Sequence, residues 1–318
     1  MGYGVTGAHP SPTRRALRYA TSMTIGNLLA VTRRALEDNG NDEAALEAEV
    51  LVRHHLGLTR AELFARRTDP VADEAAAAVG ALTARRLTGE PLAYIAGHRE
   101  FYGLDFAVDP RVLIPRPETE LLVDEALAWL RARSGLRLAV ADVGTGSGVI
   151  AVSIARNFPG AQVYAIDVSG GALEVARANA QALGVAGRVM FLEGDLLLSL
   201  AVKADLIVAN LPYVREDQMP LWCGATQVEL AFEPFDALCG GPEGLDVIRR
   251  LLGQAPDHLN VGGAVLLEIG SGQASAVEAL AQEAFPDAHV RTKKDLAGLD
   301  RLVLVQTPPP GRREVQPH

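Results

Sequence analysis

The chain has 318 residues, 48% of them hydrophobic and 22% charged, with a net charge of −9. That length and mix suit a globular protein with a sizeable core and room for more than one domain, while the acidic balance excludes a general nucleic-acid coat, which needs a basic face. No apolar run reaches the ~20 residues of a membrane span, and the two cysteines, Cys223 and Cys239, form no CxxC pair and have no histidine at zinc-ligand spacing, which fits a reducing compartment without structural zinc.

Residues 1–22 are rich in Gly, Pro and Ser/Thr and read as a disordered extension. They lack the apolar stretch and small-residue cleavage site of a signal peptide, so the expected location is cytoplasmic. Residues 23–90 read as a small helical bundle. Ile25, Leu28, Leu29, Ala35 and Leu36 recur at helical spacing, and Gly40 ends the run. Asn41 or Asp42 can cap a second helix that closes at Gly57. Thr59 and Glu62 make a capping-box pattern for a third. Asp69-Pro70 place a cap and an N1 proline before an Ala-rich fourth that ends near Gly89. Such a bundle is either a structural appendage or a docking module, and an enzyme acting on small molecules has little need of one. Docking of a macromolecular substrate is the favoured reading.

Residues 91–117 are extended and punctuated by Gly and Pro, and the alternating apolar residues around Gly103 predict a β-hairpin linker. Phe101, Tyr102 and Arg116 lie here, either as core and surface of the linker or as walls of a cavity. Pro115 and Pro117 stiffen the exit, and Glu118 or Thr119 begins a helix over 121–133. From 118 to 306 strands and helices alternate. Strands are predicted at 138–143, 162–167, 188–193, 205–209, 264–269, 288–292 and 302–306, with helices between the first five, which implies a doubly wound, mostly parallel sheet. The last two strands stand too close for a helical crossover and should pair antiparallel. Residues 307–318 are Pro-rich and read as a flexible tail.

The fourth of these strands, Leu206–Ala209, is short and apolar, and it runs into Asn210-Leu211-Pro212-Tyr213. Pro212 fixes its own φ and keeps Leu211 extended. A side-chain amide, a carbonyl and an aromatic ring are thereby held at the carboxyl edge of a sheet, where ligands bind in open α/β folds. After the first strand comes Asp142-Val-Gly144-Thr145-Gly146-Ser147-Gly148, a glycine-rich turn that lets a ligand press on backbone N–H groups at a helix start. Asp167, followed by Val168, ends the second strand, at the spacing where a carboxylate accepts both hydroxyls of an unmodified ribose. Asp195 and Leu196 follow the third strand. There Asp195 either accepts from an adenine amino group, with Leu196 covering the ring, or caps a helix.

These features in register point to an adenosine-type cofactor, a dinucleotide or S-adenosylmethionine. A dinucleotide prefers G-x-G-x-x-G and a helix aimed at its pyrophosphate. The spacing here is G-x-G-x-G, and an acidic Asp142 beside the loop tolerates S-adenosylmethionine, which carries no phosphate and whose amino group it can attract. S-adenosylmethionine is therefore preferred.

Gly89-Glu90-Pro91-Leu92-Ala93-Tyr94-Ile95, Glu100-Phe101-Tyr102-Gly103, Ile114-Pro115-Arg116-Pro117-Glu118-Thr119-Glu120, the Gly144–Gly148 loop, the Asn210–Tyr213 box and Phe232-Glu233-Pro234 through Gly240-Gly241 stand in the order found in the release-factor glutamine methyltransferases (PrmC, also called HemK), which the chain resembles from about residue 25 to 306. The resemblance implies a helical N-terminal domain and a class I S-adenosylmethionine-dependent methyltransferase domain, an α/β Rossmann-like fold of seven strands with an antiparallel terminal strand. It further implies N5 methylation of the glutamine in the Gly-Gly-Gln loop of class-1 peptide chain release factors, without a stable nucleic-acid or membrane partner, by a monomer. Asn210, Leu211, Pro212 and Tyr213 would then be catalytic and, with Phe101 and Arg116, bind substrate, while Asp142, Gly144, Thr145, Gly146, Ser147, Gly148, Asp167, Val168, Asp195, Leu196 and Asn210 would bind the cofactor. Arg116–Glu120 favours this branch over a sister family that methylates a ribosomal-protein glutamine. Nucleic-acid amino-methyltransferases, which share the Pro-Tyr ending, are a more distant alternative. One departure is present: the family box is usually Asn-Pro-Pro-Tyr, and Leu211 replaces its first proline while keeping the backbone carbonyl. Glu229, Phe232, Glu233 and Pro234, with the Gly240–Gly244 turn, are either loop and cap residues or part of a substrate groove.

Overall fold

The computed structural model describes residues 23–219 and 228–309. The extension over 1–22, the tail from 310 onward and Cys223 lie outside them. The chain divides into two compact units, Met1–Ala84 and Arg85–His318.

The first unit is helical. Helix α1, Ile25–Glu37, begins at Thr24, whose hydroxyl accepts from the Asn27 N–H, and it packs Ile25, Leu28, Leu29 and Leu36 inward. Helix α2, Ala44–Leu56, ends on Gly57 at φ 62°, a left-handed stop that glycine adopts without strain. The predicted box at Thr59 is complete: Thr59 accepts from Glu62 N–H and Glu62 accepts from Thr59 N–H, opening α3 at Arg60–Ala65. The fourth start is different from expectation. Helix α4, Asp73–Leu87, opens beyond Pro70, which instead forms a β-bridge with Thr24. Asp69 gives its carbonyl to Ile25 N–H and its carboxylate to Arg66, so it closes the preceding turn and caps nothing.

In the second unit a short helix α5, Leu92–Ala96, interrupts the stretch expected to be extended, and the hairpin β1 (His98–Phe101) and β2 (Leu104–Ala107) follows around Tyr102-Gly103. Pro117–Thr119 forms a 3₁₀ turn ahead of α6, Glu120–Arg131. A seven-stranded sheet is then built from β3 (Leu138–Val143), β4 (Ala161–Asp167), β5 (Val189–Glu193), β6 (Ala204–Ala209), β7 (Leu259–Glu268), β8 (His289–Lys294) and β9 (Asp300–Gln306), in the order β5-β4-β3-β6-β7-β9-β8. Strand β9 runs antiparallel to both neighbours, and the other pairings are parallel. Helices α7 (Val149–Asn157), α8 (Gly170–Ala182), α9 (Asp246–His258) and α10 (Ala274–Ala284) connect the strands. One expectation fails: the Gly194–Lys203 connection contains turns and no helix, because its ten or so residues are consumed crossing the sheet.

The strands are apolar on both faces, which is why they read as continuous runs. Val140, Leu206, Val208, Leu266 and Leu304 pack under α6 and α7, while Ala141, Val143, Ile207, Val265, Leu267 and Val303 pack under α9 and α10. Each fully buried Val or Leu is worth about 1.5–3 kcal/mol relative to exposure. This two-sided burial clamps the strand ends, and the site is assembled on those ends.

Candidate active site

The carboxyl ends of β3, β4 and β6 open into one cavity of about 380 Å³. Of the residues singled out in the sequence, Gly144, Thr145, Gly146, Ser147, Asp167, Val168, Asp195, Leu196, Asn210, Leu211, Pro212 and Arg116 all line it. Asp142, Gly148, Tyr213 and Phe101 do not.

The glycine loop begins where β3 ends. Gly144 and Thr145 donate their N–H groups to the Ile166 carbonyl of β4, and Gly144, Gly146 and Gly148 all adopt positive φ. Gly146 N–H donates to Asp167 Oδ2 at 2.9 Å while Ser169 N–H donates to Oδ1 at 2.9 Å. Asp167 is thus held in one orientation, and each oxygen keeps a further lone pair for a ligand hydroxyl. Burial pushes its carboxyl up against the pull of those N–H donors. Gly148 serves packing: a Cβ there would stand 3.0 Å from Ala176 Cβ on α8. Asp142 is fully buried beneath the loop. Its Oδ2 accepts from Thr145 Oγ1 (2.6 Å) and Ala151 N–H (3.0 Å), and its Oδ1 has no partner among the described residues. Burial raises this carboxyl to about 7, against those two donors and with Asp167 nearby. Asp142 therefore ties the loop to α7 from below and does not wall the cavity.

Asp195 caps no helix, since only turns follow β5. Arg250 of α9 pairs with its Oδ2, and both residues line the cavity. Leu196, at φ 54° and 7% exposed, holds its side chain on the cavity wall. Of the two readings of Phe101, the structure gives the core one: it is 1% exposed, meets Phe106 edge-on at 6.2 Å and is not among the residues that line the cavity. Arg116 does line the cavity, where it pairs with buried Glu233.

At the box, one N–H of Asn210 Nδ2 donates to Thr119 Oγ1 at 3.1 Å, which orients the amide with its Oδ1 turned away from Thr119 as an acceptor for a ligand. Leu211 is buried, and its Cδ2 would meet a Cβ on Gly144 at 3.0 Å, so it packs over the glycine loop. Tyr213 packs among core residues outside the lining, its hydroxyl raised to about 12 chiefly by burial. The Gly240–Gly244 turn braces the box from behind. A Cβ on Gly240 would lie 2.5 Å from the Pro212 carbonyl oxygen, and one on Gly244 2.3 Å from that of Tyr213. Gln273 completes the brace by donating to the Tyr213 carbonyl at 3.0 Å. Glu268, Arg250 and Gln273 are the residues sequence reasoning missed, and Thr119 stands in it only as a candidate helix start and within the Ile114–Glu120 motif. Of the three, only Glu268 left a signal, as a carboxylate closing a largely apolar strand.

The donor set fits S-adenosylmethionine. The cavity offers a fixed carboxylate for a ribose, apolar walls at Val149, Ile150, Val168 and Leu196, and acidic groups on and beneath the loop that suit a cationic ligand better than a pyrophosphate. Residues 27–97 match the PrmC N-terminal domain and residues 119–231 the Methyltransferase small domain. Release factor glutamine methyltransferase from Bordetella pertussis is 48% identical over 81% of this chain and 93% of that protein. The chain belongs to the release factor glutamine methyltransferase family. The Moorella thermoacetica member is 43% identical over 89% of this chain and 98% of that protein. A solved release factor-specific protein-(glutamine-N5) methyltransferase from Alicyclobacillus acidocaldarius is 34% identical, covers 64% of this chain and 100% of that one, and gives a TM-score of 0.39. The family membership and the strand order make this a class I methyltransferase fold, with S-adenosylmethionine as methyl donor. No helix among the described residues is long and apolar enough to cross a membrane.

Proposed function

We propose that this enzyme methylates the side-chain amide nitrogen (N5) of the glutamine in the Gly-Gly-Gln loop of class-1 peptide chain release factors. The observation that carries the reading is the commitment of Asn210 Nδ2 to Thr119, at the mouth of a cavity built for S-adenosylmethionine. Bound there, S-adenosylmethionine supplies an electrophilic methyl on a sulfonium and leaves as S-adenosylhomocysteine.

The chain's own residues do the positioning. An amide nitrogen is a poor nucleophile, and the box Asn210–Tyr213 contains no histidine or lysine to serve as a base. Asn210 Oδ1 and the Leu211 carbonyl accept the two N–H bonds of the substrate amide. This turns the nitrogen toward the methyl in an in-line geometry, and most of the rate comes from that alignment. The same acceptors favour the nitrogen as it gains positive charge, before one N–H proton passes to solvent. Arg116, held by Glu233, faces the approaching loop.

The helical first unit is the proposed dock for the release factor, and hydrogen exchange should slow across α1–α4 when the release factor is added. The enzyme is proposed to act as a cytoplasmic monomer without nucleic acid or membrane. Mass spectrometry of a release factor incubated with the enzyme and S-adenosylmethionine should find one added methyl on the loop glutamine. Methyl transfer to a ribosomal-protein glutamine or to a nucleic acid instead would overturn the assignment.

A further inference from the structure

Glu268 ends β7, the strand beside the one that delivers Asn210. The parallel register pairs Ala209 with Leu267, so Asn210 and Glu268 come next to each other at the sheet edge. Glu268 is 1% exposed at the end of an apolar strand, a costly place for a carboxylate that lacks donors. The groups whose hydrogen bonds or charge reach it come from several elements. The turn before α6 supplies the Thr119 hydroxyl and the Glu118 carboxylate, the end of β6 the Asn210 amide, and β9 the Arg301 guanidinium. Tyr213 lies within its field, and Asp295 holds Arg301. Its Oε2 has no hydrogen-bond partner among the described residues.

We infer that Glu268 is a positioning residue whose ionised carboxylate, acting with Thr119, decides which end of the Asn210 amide the substrate meets. An ionised carboxylate only accepts hydrogen bonds. It therefore draws the Thr119 hydroxyl proton and leaves the Thr119 oxygen to accept from Asn210 Nδ2, as it does at 3.1 Å. Protonation makes Glu268 a donor. The hydroxyl is then free to reverse, the amide can turn over, and an NH₂ group faces the NH₂ of the substrate. Burial raises the Glu268 carboxyl to about 7, with Thr119, Arg301 and Asn210 opposing and Glu118 adding to the rise, so the change falls near neutral pH.

The inference rests on the proposed role of Asn210, and the experiment separates the two. Turnover at saturating substrates is measured between about pH 5.5 and pH 8.5 for the wild type, Glu268→Gln, Thr119→Val and Asn210→Ala, with S-adenosylmethionine affinity alongside. Wild-type kcat should fall below about pH 7, by roughly fivefold or more at the acid end. Glu268→Gln, which cannot titrate, should show a flat profile with kcat at high pH lowered about tenfold and cofactor affinity unchanged. Thr119→Val should behave alike, and it carries the test if the Gln variant does not fold by circular dichroism. An acid limb that persists in both variants, or kcat within about twofold of wild type in both, overturns the role of Glu268. If Asn210→Ala stays active, the reading of the site itself is overturned instead.

Discussion

Arg116 and Glu233 pair at the cavity wall although 117 positions separate them. The second Glu233 oxygen accepts the Ile114 N–H at 2.9 Å, so one carboxylate ties down both the arginine and the backbone that presents it. Glu233 is buried and the Arg116 side chain one-third exposed. Glu233→Ala leaves the Ile114 N–H buried without an acceptor, at a cost of about 1–3 kcal/mol. The solvent-reached ion pair adds less. Urea denaturation should show that loss, and a change below about 0.5 kcal/mol would contradict the tie.

Asn210→Ala removes one of the two acceptors proposed for the substrate amide and nothing that touches the ribose end of the cavity. Turnover should drop by orders of magnitude while cofactor affinity stays within about threefold. A loss of kcat under about tenfold, roughly 1.4 kcal/mol of barrier, would dismiss positioning as the source of rate.

Asp167 holds the loop through Gly146 and has lone pairs left for a ligand. Asp167→Asn keeps the shape, removes the charge and turns one acceptor into a donor. Affinity for S-adenosylmethionine measured by titration calorimetry should weaken about 10- to 100-fold, the worth of a hydrogen bond to a charged group. Undiminished affinity would place the ribose elsewhere.

Burial raises the Asp142 and Glu268 carboxyls to about 7, from their ordinary values of 3.8 and 4.5. Between those values the folded chain holds protons that the unfolded chain has released, so stability falls as pH rises through this window. The carboxyls of Glu62, Glu90, Asp109, Asp217 and Asp295 are lowered by their donors and arginine partners, so their contribution is lost only as pH falls below the ordinary carboxylate range. The urea midpoint should therefore decline from about pH 5 to pH 7.5. Asp142→Asn and Glu268→Gln should each flatten that decline, and an unchanged slope in both would show that neither proton is held.

Gly244 has φ +72° and no room for a side chain against the Tyr213 carbonyl. Gly244→Ala should cost on the order of 2 kcal/mol of stability and lower kcat together with it, because the brace behind the box moves. Gly253, on an open face of α9, is the control, where Ala meets nothing within 4 Å.

The chain's local chemistry reaches a long way in this protein. Apolar runs that fill both sheet faces, the Gly144–Gly148 turn, the Thr59–Glu62 box and the Asn210–Tyr213 box are each legible because periodicity, turn preference and capping act over a few residues. The strands predicted at 138–143 and 162–167, found at 138–143 and 161–167, and the cavity-lining positions Asp167 and Asn210 follow from those signals alone. Tertiary structure decides the rest. Asp195 meets Arg250 across 55 positions, Arg116 meets Glu233 across 117, and Asn210 meets Thr119 across 91. Phe101 lies in the core because hairpin β1–β2 folds it onto Phe106, and no local pattern distinguishes that from a cavity wall. The physical reason is range. A side chain's local preferences are written in its neighbours, whereas its hydrogen-bond and ion partners depend on which strand lies beside which, and β6 and β7 become neighbours only once the sheet closes around them.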